Sequence, residues 1–304
     1  MLEYPDQINT MIRAIVREIV VAMGLPPEGW QRRLLEPLFW RPAHRFTTLF
    51  TEFNDRVALH GLSAGARWLQ QSFVTDCQVR GAENLPAHGP LLIASNHPGG
   101  YDSVLLIANL RDDLRILASG VPFTMGFPAV AEHPIFVTPD PRQRMAAIRA
   151  AVNHLQAGGA VLTFATGLVD PDPASMPGSE ETLQTWSKSL EIFLRKAPQT
   201  QVVPCIVSGI LSRRSLKTPL LALAGQDWEK RKLAEILKII QLMIFRRPSG
   251  DIPSISFGRP ICCAGLGYTE LMPTILSRAD SLLADHRQRI TPAAPAPAAG
   301  ASRR

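Results

Sequence analysis

Short β-rich runs alternate with helical patterns from residue 74 onward, and this alternation restricts the fold of the 304-residue chain more than any other feature. The strand-like runs occupy residues 74–80, 91–95, 115–118, 135–138, 160–164, 201–208 and 252–257. Helical patterns lie between several of them, at residues 102–110, 141–157, 180–196 and 226–246, and a final one covers 268–288. Strands that alternate with helices form sheets that are largely parallel and covered by helices. We therefore predict an α/β fold with a mostly parallel or mixed sheet.

The first 73 residues contain helical patterns and no strand pattern. Three helices are expected there: over residues 8–23, from Trp30 to Trp40 with a stop near Pro42, and over 47–73 with weak points at Gly61 and Gly65. Residues 291–304 are dominated by Pro, Ala, Gly and Ser, a composition typical of disorder. We therefore divide the chain into an N-terminal helical element at 1–73, an α/β domain at 74–290 and a disordered tail at 291–304.

The charge composition indicates a folded protein with a local basic surplus. Charged residues make up 19% of the chain, and 32 Lys and Arg exceed 26 Asp and Glu by six. Residues 195–259 hold twelve basic and four acidic side chains, so this stretch carries more than the whole surplus. The low charged fraction argues against a nucleic-acid-binding module. A basic face suits an anionic membrane or an acidic carrier protein, and solvated helix faces are the alternative.

No sequence segment is suited to crossing a membrane or to secretion. No run of about 18 apolar residues occurs, and Arg13, Arg17 and Glu18 interrupt the apolar pattern near the N-terminus. The four cysteines form no C-x-x-C pair, which fits a reducing compartment. We expect a cytoplasmic protein, peripheral at the inner face of the cytoplasmic membrane. The amphipathic helix over residues 8–23 could lie in the membrane interface or pack on its own domain.

A His-x4-Asp motif follows the strand-like run at 91–95 directly. The chain reads Asn96-His97-Pro98-Gly99-Gly100-Tyr101-Asp102, and a helical pattern comes next. Open α/β sheets bind ligands at the carboxyl ends of strands, and two glycines permit a sharp turn. Asp102 could bond one imidazole nitrogen of His97 and leave the other as a general base. A loop histidine with a helix-capping aspartate is the alternative.

With its flanking residues, this motif resembles the phospholipid/glycerol acyltransferase (PlsC-like) family, which carries Asn-His-x4-Asp on a strand, loop and helix. The resemblance lies in VRGAENLP at 79–86 and GPLLIASNH at 89–97, and extends over roughly residues 74–262. It implies transfer of a fatty acyl group from acyl-CoA or acyl-ACP to a hydroxyl of a glycerol-based lysolipid, without metal, cofactor or covalent acyl-enzyme. His97 would be the base and Asp102 its orienting partner.

The family's later motif blocks are kept only in part. Its Phe-Pro-Glu-Gly-Thr-Arg block aligns with residues 164–169, where Thr166 replaces the Glu and Val169 replaces the Arg. Its Gly-x-x-Phe-Ile-x-Arg block aligns with residues 133–139, where both the Gly and the Arg are missing. Arg142 could replace the missing Arg only if the loop curls back. The substrate-binding residues predicted from this alignment and from the turn are Asn96, Gly99, Gly100, Ser103, Phe164, Thr166, Gly167 and Arg142.

The altered blocks affect the expected substrate. The missing arginines resemble anchors for an acceptor phosphate, since a guanidinium suits a planar oxyanion. We therefore expect a shifted acceptor, such as another lysolipid or one with a neutral or amine-bearing head group. Arg213, Arg214 and Lys217 could restore an anion site from elsewhere. Backbone N–H groups near the glycine turn, or near Thr166 and Gly167, are candidates for stabilising the oxyanion.

Two further functions fit the same residues. The altered blocks are compatible with a non-catalytic lipid- or acyl-carrier-binding protein on a degenerate scaffold, although binding alone does not need an oriented base. A thioester hydrolase would use the same base to activate water. A Gly-x-Ser-x-Gly pattern at residues 61–65 matches a nucleophile elbow, but the helical pattern before Ser63 disfavours a hydrolase triad there.

Overall fold

The computed structural model describes residues 4–26, 30–119, 122–138, 140–186, 189–211, 215–223 and 225–290. The strands are β1 (Gln78–Arg80), β2 (Leu91–Ser95), β3 (Arg115–Ser119), β4 (Pro134–Val137), β5 (Ala160–Phe164), β6 (Gln201–Ser208), β7 (Ser254–Phe257) and β8 (Ile261–Cys262). The α-helices are α1 (Tyr4–Ala22), α2 (Trp30–His60), α3 (Leu62–Gln70), α4 (Asp102–Ile107), α5 (Pro128–Ala131), α6 (Pro141–Gln156), α7 (Ser179–Leu183), α8 (Ser189–Lys196), α9 (Asp227–Phe245) and α10 (Tyr268–Ile290). Short 3-10 helices cover Ala82–Asn84, Pro122–Gly126, Ser215–Lys217 and Pro219–Leu223.

The strands form one mixed sheet in the order β1-β7-β6-β2-β5-β3-β4, with β8 paired to β6. From β6 to β4 the neighbouring strands are parallel, whereas β7 and β8 run antiparallel to β6. The prediction of an α/β fold with a mostly parallel or mixed sheet is confirmed. Strand β2 lies between β5 and β6, so the residues that follow it leave the middle of the sheet's carboxyl edge.

Helices cover both faces of the sheet. Along β2, Leu91 and Ile93 pack into one cluster with residues of α2, α3, α4 and α9. Leu92 and Ala94 pack into a second cluster with residues of α6, α8 and α10. Successive side chains of a strand point to opposite faces, so an uninterrupted apolar run is what a strand buried between two helical layers requires.

The N-terminal helices differ from the prediction in where they end. Helix α2 continues through Pro37 and Pro42, and the expected stop near Pro42 is wrong. The chain breaks instead at Gly61, which has φ 86°, and the Asp112 carboxylate accepts the N–H of Ser63 at 2.7 Å to cap α3. Ser63 therefore follows a helix, so a nucleophile elbow is not formed. The helical pattern at 180–196 likewise forms two helices, α7 and α8.

Helix α1 packs on its own domain, which is one of the two arrangements that the sequence predicts for it. Ile12, Val16 and Val20 are buried against Phe39 and Ala43 of α2. Among the described residues, no helix combines the length and apolar character that crossing a bilayer requires. The predicted tail at 291–304 lies outside the described residues.

Candidate active site

His97 and Asp102 are in direct contact at the carboxyl end of β2. The Nδ1 atom of His97 lies 2.9 Å from Oδ2 and 3.1 Å from Oδ1 of Asp102. Asp102 is fully buried at the start of α4, and its Oδ2 also accepts the N–H of Gly99 at 3.1 Å. Phe164, the last residue of β5, stacks on the imidazole with 4.1 Å between ring centroids. The Nε2 atom of His97 forms no hydrogen bond with a described residue, so the pair orients one free ring nitrogen.

The polar side chains next to this pair hold the turn in place. The buried amide of Asn96 donates to the carbonyl of Val207 at 2.9 Å and accepts its N–H at 2.8 Å. The hydroxyl of Ser103 donates to the carbonyl of Gly100 at 2.9 Å. Asn96 therefore ties the end of β2 to β6, and both side chains use these polar groups within the protein. Their predicted contact with substrate stays a prediction.

The two glycines of the turn serve close packing rather than an unusual backbone conformation. The chain turns at these residues as expected, but neither Gly99 nor Gly100 adopts the left-handed φ. A Cβ at Gly99 would lie 2.7 Å from Cγ2 of Ile210, and one at Gly100 would overlap the carboxylate of Glu235. Glycine is required here because a side chain would displace the neighbouring segments.

The loop after β5 closes against His97 through a residue that the sequence analysis missed. Asp170 accepts the backbone N–H of His97 at 2.8 Å, and its own N–H donates to the carbonyl of His97 at 2.7 Å. The hydroxyl of Thr166 donates to the other oxygen of Asp170 at 2.8 Å. Burial raises the pKa of Asp170 to about 6, although these hydrogen bonds oppose the shift. Thr166 therefore acts on the loop, and Gly167 beyond it is exposed with φ 72°.

A second missed acid, Asp172, joins this loop to the segment after β6. It is fully buried and accepts the N–H groups of Ala174, Gly209, Ile210 and Leu211 at 2.7–2.9 Å. The Asp-Pro-Asp-Pro run at residues 170–173 is the sequence signal that could have drawn attention to both acids, since two aspartates beside prolines favour a tight loop.

Helix α9 contributes two charged residues that no motif predicted. Glu235 is buried, and its Oε1 occupies the space that a Cβ at Gly100 would need. Burial raises the pKa of Glu235 to about 7. One turn earlier, Arg231 donates from Nε to the carbonyl of Val169 at 2.8 Å. The sequence predicts the helix itself, but a charged residue on an amphipathic helix carries no local signal of the site it faces.

The carboxylates around His97 control its protonation. Burial lowers the pKa of His97, but Asp102, Glu235 and Asp170 outweigh burial and raise this pKa to about 9. Asp102 acts through both its charge and its hydrogen bond to the ring, whereas Glu235 and Asp170 act through charge. An opposite charge nearby favours the protonated form. The site therefore makes His97 a strong proton acceptor.

Several predicted contributors lie elsewhere or are already engaged. Arg142 is exposed on the first turn of α6, after edge strand β4, which lies three strands and roughly 14 Å from β2. Helix α6 begins at Pro141, so Arg142 is fixed in its first turn. The N–H groups of Gly99 and Gly167 donate to Asp102 and to the carbonyl of Phe164, so they are not free oxyanion donors. Lys217 is exposed, and Arg213 and Arg214 lie outside the described residues.

A family model and a solved structure are similar to parts of this chain. Residues 76–208 match the family model described as Acyltransferase. A solved structure, that of the 1-acyl-sn-glycerophosphate (LPA) acyltransferase PlsC from Thermotoga maritima, is similar with a TM-score of 0.48 and 14% identity, over 81% of this chain and 83% of that chain. No curated protein matches the sequence. The family match contains the whole His97–Asp102 turn and the loop after β5, so this segment of the chain is similar to the Acyltransferase family.

Proposed function

We propose that the protein is an O-acyltransferase that moves a fatty acyl group from a thioester to a hydroxyl of a lysolipid, with His97 as the general base. The thioester is carried by coenzyme A or by acyl carrier protein. The observation that carries the proposal is the 2.9 Å contact between Nδ1 of His97 and the buried Asp102 carboxylate, inside the segment that matches the Acyltransferase family model. This contact leaves Nε2 available to a hydroxyl group.

The reaction follows from this arrangement. The neutral form of His97, which prevails above its pKa, is the one that reacts. In this form the Asp102 carboxylate accepts a hydrogen bond from Nδ1, which assigns the tautomer with an unprotonated Nε2. The acceptor hydroxyl gives its proton to Nε2 while its oxygen forms a bond to the thioester carbonyl carbon. The tetrahedral intermediate then breaks its carbon–sulfur bond, and the leaving thiolate takes the proton back from Nε2. No acyl group is attached to the protein at any stage.

Arg231 supports an acceptor that carries an anionic group. Val169 occupies the position at which the family that this sequence resembles carries arginine. The carbonyl of Val169 accepts a hydrogen bond from Arg231. The terminal guanidinium nitrogens of Arg231 form no hydrogen bond with a described residue. A fixed guanidinium suits a phosphate oxyanion. We therefore favour a phosphate-bearing lysolipid over the neutral or amine-bearing acceptor that the sequence suggests.

An exposed apolar stripe on α2 supports a peripheral position on a membrane, where such an acceptor resides. Trp30, Leu34 and Leu38 are 68%, 68% and 67% exposed and lie one helical turn apart. Exposed Arg41 follows them on the next turn. Large apolar side chains flanked by a basic residue can insert at the boundary between lipid head groups and acyl chains. The membrane contact that the sequence analysis gave as one of two alternatives for α1 is thus proposed for α2.

A thioester-consumption assay with mass detection of lipid products tests the proposed activity. Palmitoyl-CoA and palmitoyl-ACP are each offered with a panel of lysolipids to the wild type, to His97→Ala and to His88→Ala. The control residue His88 is exposed before the opposite end of β2. We expect an acylated lipid whose formation falls by about 10²–10⁴-fold in His97→Ala only.

The other outcomes identify the competing functions. Donor consumption without an acylated lipid indicates a thioester hydrolase. Lipid binding without turnover, equal in the wild type and His97→Ala, indicates a binding protein and contradicts the proposal. Equal activity in all three proteins shows that His97 is not the base.

A further inference from the structure

Helix α9 covers the His97 turn and inserts one buried carboxylate into it. Glu235 is 8% exposed, and its side chain packs against Gly99 and Gly100. Its Cγ would lie 3.6 Å from a Cβ at Gly99, and its Oε1 occupies the space that a Cβ at Gly100 would need. The mechanism above gives Glu235 no role. A carboxylate buried this closely against the turn needs an interaction that offsets its loss of hydration, because burying a charge costs free energy.

The charged groups around Glu235 identify that interaction. His97 lies across the turn and Lys232 lies on the same helix, and both favour the ionised carboxylate. Asp102 from the start of α4 opposes ionisation, and the phenol of Tyr101 also faces Glu235. His97 in turn faces three carboxylates: Asp102, Glu235 and Asp170 from the loop after β5. The charge of Glu235 is therefore best compensated when His97 is protonated.

We propose that Glu235 is a positioning residue for His97, which clamps the Gly99–Gly100 turn and stabilises the imidazolium formed when His97 takes the acceptor proton. This inference rests on the proposed role of His97. Asp102 belongs to the same turn as His97 and fixes its ring. Glu235 reaches the turn from α9, which follows β6, the last strand inside the family match. The base would thus depend on a residue outside the matched segment, residues 76–208.

The mutual effects of the two groups agree with this inference. Burial raises the pKa of Glu235 to about 7, and the charge of His97 opposes that rise. Glu235 also contributes to the raised pKa of His97, after Asp102. Each group therefore stabilises the charged form of the other. Removing the negative charge of Glu235 should lower the pKa of His97. Changing the shape of the side chain while its charge is kept should not.

The clamp is tested by a double-mutant cycle with a matched glycine control. Gly100→Ala should lower the Tm by about 4 °C, because its Cβ overlaps Glu235. In a Glu235→Ala background, the same substitution should not lower the Tm further. Gly99→Ala meets Ile210 instead, so its cost should persist in that background. Equal costs of Gly100→Ala with and without Glu235 would overturn the clamp.

The charge effect is tested with Glu235→Gln, which keeps the size and shape of the side chain but removes its charge. NMR titration of the His97 ring should show its pKa falling by about one unit, and the acidic limb of kcat/KM against pH should move down equally. Glu235→Asp should restore part of the shift. Asp227→Asn, which removes an exposed charge from the first turn of α9, should leave the His97 titration unchanged.

The two readouts separate this inference from the proposed function. An unchanged His97 pKa in Glu235→Gln, with only stability lowered, would mean that Glu235 is merely structural. If the pKa falls but His97→Ala retains full activity, Glu235 does control His97 while the base assignment is wrong. The NMR titration requires no turnover, so it decides the first question even in an inactive preparation.

Discussion

Carboxylates from three separate parts of the chain meet at His97, and they differ in how far they could be foreseen. Asp102 lies five positions along the chain and contacts the ring as the sequence predicts. Asp170 lies 73 positions away, and Glu235 comes from a helix beyond the family match. A contact within one turn follows from local geometry, whereas the other two require the loop after β5 and α9 to fold over β2.

Arg231 provides the prediction at the scale of a single residue. Arg231→Ala should raise KM about 10–100-fold for a phosphate-bearing lysolipid, because charge-assisted hydrogen bonds are lost, and should leave KM for a neutral acceptor nearly unchanged. Steady-state kinetics with the two acceptors measures this, and Lys196→Ala, at an exposed position at the end of α8, is the control. If the Arg213→Ala/Arg214→Ala double variant shows the selective loss instead, the anion is bound there.

Among the elements, α2 shows how packing overrides a local signal. An internal proline costs a helix roughly 3 kcal/mol, which predicts a stop near Pro42. The helix continues because Phe39 and Ala43 are buried against α1, and interrupting the helix would expose that face. Gly61 ends it because the chain adopts a positive φ there and Asp112 caps the following helix.

Replacing Gly61 tests this account of the helix break. Gly61→Ala should lower the free energy of unfolding by about 2–4 kcal/mol, because it combines a strained φ with a Cβ that meets the Asp112 carboxylate. Gly158→Ala is a matched control with φ 87° and no atom within 4 Å, so it should lose only about 1 kcal/mol. Urea denaturation measures both. Equal losses would show that the Asp112 cap does not matter.

Across the whole molecule, the helices that cover the His97 side of the sheet also carry the exposed apolar stripe. Helix α9 packs on both α1 and α2 and reaches the turn through Glu235. The stripe of Trp30, Leu34 and Leu38 lies on α2. The active-site cover and the proposed membrane contact are therefore parts of one packed helical layer.

Vesicle binding tests the membrane contact. In co-sedimentation with phosphatidylglycerol vesicles, Leu34→Ser/Leu38→Ser should bind at least about tenfold more weakly, because each leucine loses burial in the lipid interface. Leu59→Ser is the control, since Leu59 is 76% exposed near the other end of α2. An equal loss in the control, or no binding by the wild type, would contradict the proposed contact.

The sequence alone determined the central strands and the oriented histidine. Strands β2, β5 and β6 occupy the predicted residues, and the His97–Asp102 contact forms, because apolar periodicity and short spacing act between neighbours along the chain. Only the tertiary structure decided that Arg142 lies apart, that α2 passes through its prolines, and that Asp170, Glu235 and Arg231 surround the turn. Those outcomes depend on which distant surfaces pack together, and burial sets both the fit and the charge of the groups they enclose.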